Sequence, residues 1–126
     1  MPCTIGFNER DKILEVVYQG EFGADELRTS THEILTAMLE RKTMRVLLDC
    51  AQAHFNIPAA NVFQLPDLYD SRGVARHDAR AAVVKPKDGY HQELFEFYED
   101  VCRNRGFFVS LFDDAVAARA WLLSDP

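Results

Sequence analysis

The sequence predicts an α/β fold, a mixed and mainly parallel sheet flanked by helices in the order ββαβαβαβα. Three observations point there. The chain has 126 residues, near the modal domain size, and 48% of them are hydrophobic, enough to bury one core. Short apolar runs bounded by turn residues alternate with longer segments whose apolar residues recur at helical spacing. After an N-terminal hairpin, strand and helix signals take turns to the end, which implies right-handed crossovers between parallel strands. No internal repeat or low-complexity stretch interrupts the pattern, so a single domain over residues 1–126 is expected.

Residues 4–7 read as a short strand, followed by the polar turn Asn8-Glu9-Arg10-Asp11-Lys12. Residues 13–18 alternate Leu14, Val16 and Tyr18 against Glu15, and pair with the first strand as a hairpin, leaving that strand antiparallel at an edge. Gly23 breaks the chain. Asp25 and Glu26 suit the first turn of a helix, where negative charge meets the positive end of the dipole, and Leu27, Thr31, Ile34, Leu35 and Met38 form its apolar face. Arg41 and Lys42 suit its C-terminus. The apolar run 44–48, ending at Asp49, reads as a buried strand. Over residues 50–78 the pattern is weaker. Pro58 opens a short helix carrying Val62 and Phe63, Pro66 ends or kinks it, and Ser71-Arg72-Gly73 forms a loop. Residues 81–84 are the next strand. Asp88 caps a helix carrying Tyr90, Leu94, Phe97 and Val101, and Gly106 sits where a left-handed cap is needed. Residues 107–112 are the last strand, and Asp113 caps a final helix with Ala115, Ala118, Trp121 and Leu122.

Bulk chemistry removes several classes of function. The formal net charge is −6, which argues against a nucleic-acid partner, whose binding surface should be basic. No apolar stretch approaches transmembrane length, and the N-terminus lacks the pattern of a secretory leader. The three cysteines, Cys3, Cys50 and Cys102, are too far apart for a CxxC motif and fit free thiols in a reducing cytoplasm. The four histidines, His32, His54, His77 and His91, show no paired-ligand spacing, so neither a metal nor another cofactor is expected. No GxSxG, P-loop or GxGxxG motif is present, and a non-enzyme is expected.

The C-terminal third carries a local signature. Gly89-Tyr90 opens a helix rich in Phe, Tyr and Glu, which ends at Arg105-Gly106-Phe107. Val109-Ser110-Leu111-Phe112-Asp113-Asp114 follows, then Ala117 and Ala120-Trp121-Leu122. Together with the element order and a central strand at 44–49, this resembles the SpoIIAA-like family of small bacterial proteins, which have the STAS fold of anti-sigma-factor antagonists. The resemblance implies a STAS-like binding or regulatory module that recognises a protein partner. One departure matters. Antagonists with a phosphorylation switch carry Asp-Ser-Ser or Asp-Ser-Thr after the central strand. Here the stretch Asp49-Cys50-Ala51-Gln52-Ala53-His54-Phe55-Asn56-Ile57-Pro58 contains no Ser, Thr or Tyr. A phosphoserine switch at that site is therefore not expected.

Candidate site residues fall into two groups, each with a plainer structural explanation. Asp49 ends the central strand, where α/β sheets place ligands, or it caps a turn. His54, Phe55 and Asn56 form a polar and aromatic loop suited to a ligand or partner; alternatively Asn56 caps the Pro58 helix and Phe55 packs. Asp49 with Lys85-Pro86 also resembles response-regulator receivers, but the chain has too few strand–helix units for that fold. Arg72, Arg76 and Arg80 recur every four residues. If helical, they form a basic face near Lys85 and Lys87 that suits a small anion, unless it is merely solvated. Phe95 and Tyr98 lie partly off the main apolar stripe, which suits either a homodimer contact or the core. The alternative to partner recognition is a Sec14-like carrier of a small apolar molecule or lipid, with a pocket beneath residues 58–69. A third reading is an enzyme using Asp49, Cys50 and His54.

Overall fold

The structure is a computed structural model that describes residues 3–124. Strand β1 (Cys3–Asn8) turns through Lys12, at φ 60°, into β2 (Ile13–Phe22), and the two pair antiparallel. Helix α1 (Ala24–Arg41) leads to β3 (Arg45–Phe55). Two short helices, α2 (Ala59–Phe63) and α3 (Leu65–Ser71), lead to β4 (Arg80–Val84). Helix α4 (Gly89–Asn104) leads to β5 (Phe108–Phe112), and α5 (Ala115–Leu123) follows. The sheet order is β1-β2-β3-β4-β5, with every pair after the first parallel.

That order decides the layering. Strands β2 to β5 are neighbours in sequence and in space. Right-handed crossovers applied three times in one direction therefore put every crossing segment on the same face. The larger core lies there, with Val16 and Tyr18 of β2, Ile34 and Met38 of α1, Val62 of α2, and Phe95 of α4. Among the described residues the other face has only α5, whose Ala118 and Leu122 pack on Ile13, Leu47, Ala82 and Val84. Arg119 of α5 adds ion pairs to Glu15 and, at 3.2 Å, to Asp11.

Several local expectations need correction. The second helix is two helices, because Pro66, with no N–H to lose at a helix start, opens α3 instead of ending α2. Asp114, not Asp113, caps α5 by accepting from Ala117 N at 2.8 Å. Strand β3 runs six residues beyond the expected end at Asp49. Its pairing with β2 is regular as far as Val17↔Asp49 and resumes at Gln19↔Gln52, so β3 carries one extra residue, a bulge. Side chains facing the larger core change parity there, from Val46 and Cys50 to Ala53 and Phe55. Asp49 Oδ1 accepts the Ala51 N–H at 3.1 Å within the bulge, so Asp49 holds a turn and lies inside the strand. Gly106 has φ 89° at the end of α4, as expected, with Phe107 N donating to Cys102 O at 3.0 Å.

The outer edge of β5 is covered by α4 side chains. Glu99 accepts the Leu111 N–H at 3.1 Å, and Arg103 Nε donates to Val109 O at 2.7 Å.

Because α5 alone covers its face, Leu122, fully buried, should be a sensitive position. Leu122→Ala is expected to cost about 2–5 kcal/mol in urea unfolding. A loss below about 1 kcal/mol would mean that α5 contributes little to stability.

Candidate functional site

Strand β4 accompanies β3 only as far as Asp49↔Val84. Beyond that point the second half of β3 has β2 on one side and, among the described residues, no strand on the other. A side chain meets this open edge. His91, 1% exposed in the first turn of α4, accepts the Phe55 N–H on Nε2 at 2.9 Å. Its Nδ1 lies 2.8 Å from Asp88 Oδ1, the same oxygen that caps α4 by accepting His91 N at 3.0 Å. The tautomer follows: Nε2 accepts, so Nδ1 carries the proton and donates it to Asp88. Asp88 is held below the ordinary carboxylate range, first by the His91 side-chain hydrogen bond and then by the His91 N–H.

An aromatic cluster sits on this frame. The His54 ring stacks on Tyr90 at 4.8 Å and 20°, and meets His91 edge-on at 4.9 Å and 81°. Beneath them His91 packs against Phe55 and Phe95. His54 is exposed, and Tyr90 is 61% exposed. Helix α2 packs on α4 and leaves Phe63 57% exposed. The far end of the central strand thus presents solvent-facing aromatic surface on a fully hydrogen-bonded base.

Of the residues expected to bind, His54 alone has its ring in the exposed cluster; Phe55 lies beneath it, buried. Both are strand residues rather than loop residues. Asn56 is exposed and donates its backbone N–H to Phe22 O at 2.9 Å. It caps nothing, because the cap position of α2 is Pro58. The basic stripe does not form. Helix α3 ends at Ser71, Gly73 and His77 have positive φ, and Arg80 opens β4, so the spacing of four never becomes a helical face. Each arginine is occupied instead. Arg72 reaches His32 at 2.7 Å and Thr36 at 2.8 Å on α1. Arg76 forks onto Asp70 at 3.0 and 2.5 Å, with Arg105 bridging Asp70 and Asp67. Arg80 lies over the Trp121 ring at 4.9 Å and donates to the carbonyls of Trp121 and Ser124. Lys85 pairs with Asp113 at 2.8 Å, tying the ends of β4 and β5 together. Phe95 is buried, and the half-buried Tyr98 shares a 2.8 Å hydrogen bond with Tyr69. Cys50 faces the core, where burial pushes its thiol up, while His54 faces outward, so the two form no nucleophile–base pair. Sequence patterns missed His91 and Tyr90 as site residues; a histidine three places after a capping Asp was the available signal.

Between the sheet and the helices α1 to α4 lies an apolar cavity of about 130 Å³. None of its lining residues is exposed. The hydroxyls on its wall are matched internally, Tyr18 with Ser30 and Tyr69 with Tyr98. Among the described residues no three His, Cys, Asp or Glu side chains gather as metal ligands, and no helix is long and apolar enough to cross a membrane.

No family model matches the chain, and no curated protein matches it. Solved structures do. An uncharacterized protein of the DUF3478 family with a SpoIIAA-like fold, from Shewanella loihica PV-4, superposes with a TM-score of 0.61 at 18% identity, covering 95% of this chain and 93% of the other. The anti-sigma factor antagonist SpoIIAA in its unphosphorylated form superposes with a TM-score of 0.56 at 16% identity, covering 94% of each. The chain has a SpoIIAA-like fold of the STAS kind.

Two measurements probe the frame beneath the cluster. His91→Phe keeps a ring but removes the acceptor, leaving the buried Phe55 N–H unpaired. It is expected to cost about 1–3 kcal/mol and to speed amide exchange at Phe55; wild-type exchange there would count against the bond. Asp88 titrates low when folded, so its contribution to stability is full above the unfolded value of about 3.9 and is lost as pH falls through the lower folded value. Asp88→Asn keeps an acceptor without the charge. The stability gap between wild type and Asp88→Asn, measured in urea, should therefore close between pH 5 and strongly acidic conditions of about pH 2. A gap that stays constant would show that the ionised carboxylate is not what His91 uses.

Proposed function

We propose that this protein is a non-enzymatic regulatory module that recognises a protein partner through the surface around His54 and Tyr90, without a phosphoserine switch. The observation that carries this reading is the stacked, exposed His54–Tyr90 pair on a rigid base. Exposed aromatics on a preorganised surface suit protein recognition, because they bring contact area at little entropic cost. Phe63 on the neighbouring α2 extends the apolar character. The structural neighbour SpoIIAA is described as an antagonist of an anti-sigma factor, hence as acting on another protein. The start of α2 follows Asn56-Ile57-Pro58 and provides no hydroxyl to phosphorylate. Against catalysis, both nitrogens of His91 are committed to structural hydrogen bonds, and burial raises the thiol of Cys102 to about 12.

Site-specific photo-crosslinking in cells of the source organism tests the reading. A crosslinker at Phe63 should trap a discrete protein, and one at Val116, 81% exposed on α5, should not. Adding Tyr90→Ala should abolish the adduct while changing stability by less than about 1 kcal/mol. Equal adducts from both positions, or one that survives Tyr90→Ala, would place recognition elsewhere.

A further inference from the structure

We propose that two copies of this chain associate through the free edge of β1, about a twofold axis perpendicular to the sheet that passes beside Ile5 and Ala37. The proposal does not depend on the partner surface at His54 and Tyr90.

The β1 edge is open and undefended. In an antiparallel pair, alternate residues direct their N–H and C=O groups away from the neighbouring strand, and among the described residues β1 has a neighbour on one side only. No loop or side chain among the described residues bonds to the backbone of residues 3–7. Exposed edges are commonly blunted by a charge, a proline or a bulge. The strand Cys-Thr-Ile-Gly-Phe-Asn carries neither charge nor proline, and its register with β2 is unbroken. The β5 edge, by contrast, is covered by Glu99 and Arg103.

What fits this edge is a second copy, because the helix above it is complementary to itself. Helix α1 lies over β1 and β2. Its row Glu33, Ala37 and Arg41, spaced by four residues, runs above β1. At one end the Arg41 guanidinium lies over the Phe7 ring at 5.4 Å. At the other Glu33 is close to Cys3, whose thiol is raised by burial and then by that carboxylate. Ile5 is midway between Cys3 and Phe7, as Ala37 is between Glu33 and Arg41. The lengths agree as well, since four strand residues span about 13 Å and eight helical ones about 12 Å. An axis beside Ile5 therefore passes beside Ala37 too. It sets Glu33 of each copy against Arg41 of the other, with the two small Ala37 side chains between. Glu33 and Arg41 are both exposed, and neither forms an ion pair among the described residues.

The spacing between layers also suits the pair. Joining β1 to β1 repeats the strand separation of about 4.8 Å across the junction. Two α1 helices, each over its own β1 and β2, then lie about 10 Å apart, a packing distance for helices. Beneath them Ile5 meets Ile5 of the second copy, and Cys3 meets its Phe7. These three side chains are half-buried in one chain and become covered in the pair. The aromatic surface stays free, because β1 accompanies β2 only to Tyr18 whereas His54 aligns with Glu21.

Sedimentation velocity and amide exchange on the full chain test this. The wild type should sediment at twice the mass of the chain when concentrated and as a monomer on dilution, with exchange slowed at alternate residues of β1 in the dimer. Arg41→Glu and Glu33→Arg each replace two attractive pairs by two repulsive ones and should weaken association about tenfold. Combining the two changes should restore association, which damage to the fold could not mimic. A wild type that remains monomeric at about 1 mM would overturn the proposal. So would a dimer unaffected by either single change, a double variant that stays weak, or β1 amides that exchange in the dimer as fast as in the monomer.

Discussion

The handedness of the parallel crossover governs this molecule. Strands that follow one another across a sheet, joined each time by a right-handed connection, stack all their connections on one side. Three crossings crowd that side and one terminal helix is left for the other. The crowded side has to accommodate α1, the α2–α3 pair and α4 over the same strands, and the middle crossing is the weakest of the three. Two helices of five and seven residues cover less sheet than α1 or α4, with 18 and 16. The cavity lies beneath this thin cover, so its position is a product of topology rather than of any single small residue.

The same middle crossing explains the aromatic cluster. Strand β3 outruns β4, and an unpaired strand edge inside a protein must find hydrogen-bond partners. His91 serves one of these groups, Phe55 N–H, and is itself fixed by the residue that caps its helix. A single acidic side chain thereby starts α4, selects a histidine tautomer and stabilises the end of the central strand. The exposed ring of His54 stacks on Tyr90 and packs edge-on against His91, whose two ring nitrogens are both hydrogen-bonded.

Much of the architecture was legible because local patterns agreed with tertiary needs. The hairpin alternates cleanly, and α1 and α4 show steady apolar stripes between polar starts and left-handed ends. The reading failed where one residue broke a period. The bulge at Asp49–Ala51 shifts the inward parity of β3, so an alternation that in fact continues looks finished. The opposite error arose at Arg72, Arg76 and Arg80, where even spacing imitated a helix that Gly73 and His77 interrupt. In the candidate site His54 was readable as a polar residue near a strand end. Its companions were not, since Phe55 and His91 are 36 residues apart and meet only in the folded sheet. The cavity was expected only through the family resemblance, as a pocket beneath residues 58–69, because a sequence records the side chains that are present and not the volume between them.

The side chains along the rim of β5 have a consequence for assembly. Two outward-facing backbone groups there are already taken by Glu99 and Arg103, so an incoming strand would have to displace both. The opposite rim, β1, pairs only with β2 among the described residues. A row of copies joined rim to rim in one direction would have to break both bonds at every step. Joining two copies through their β1 rims would break neither bond and would give a closed pair related by twofold symmetry.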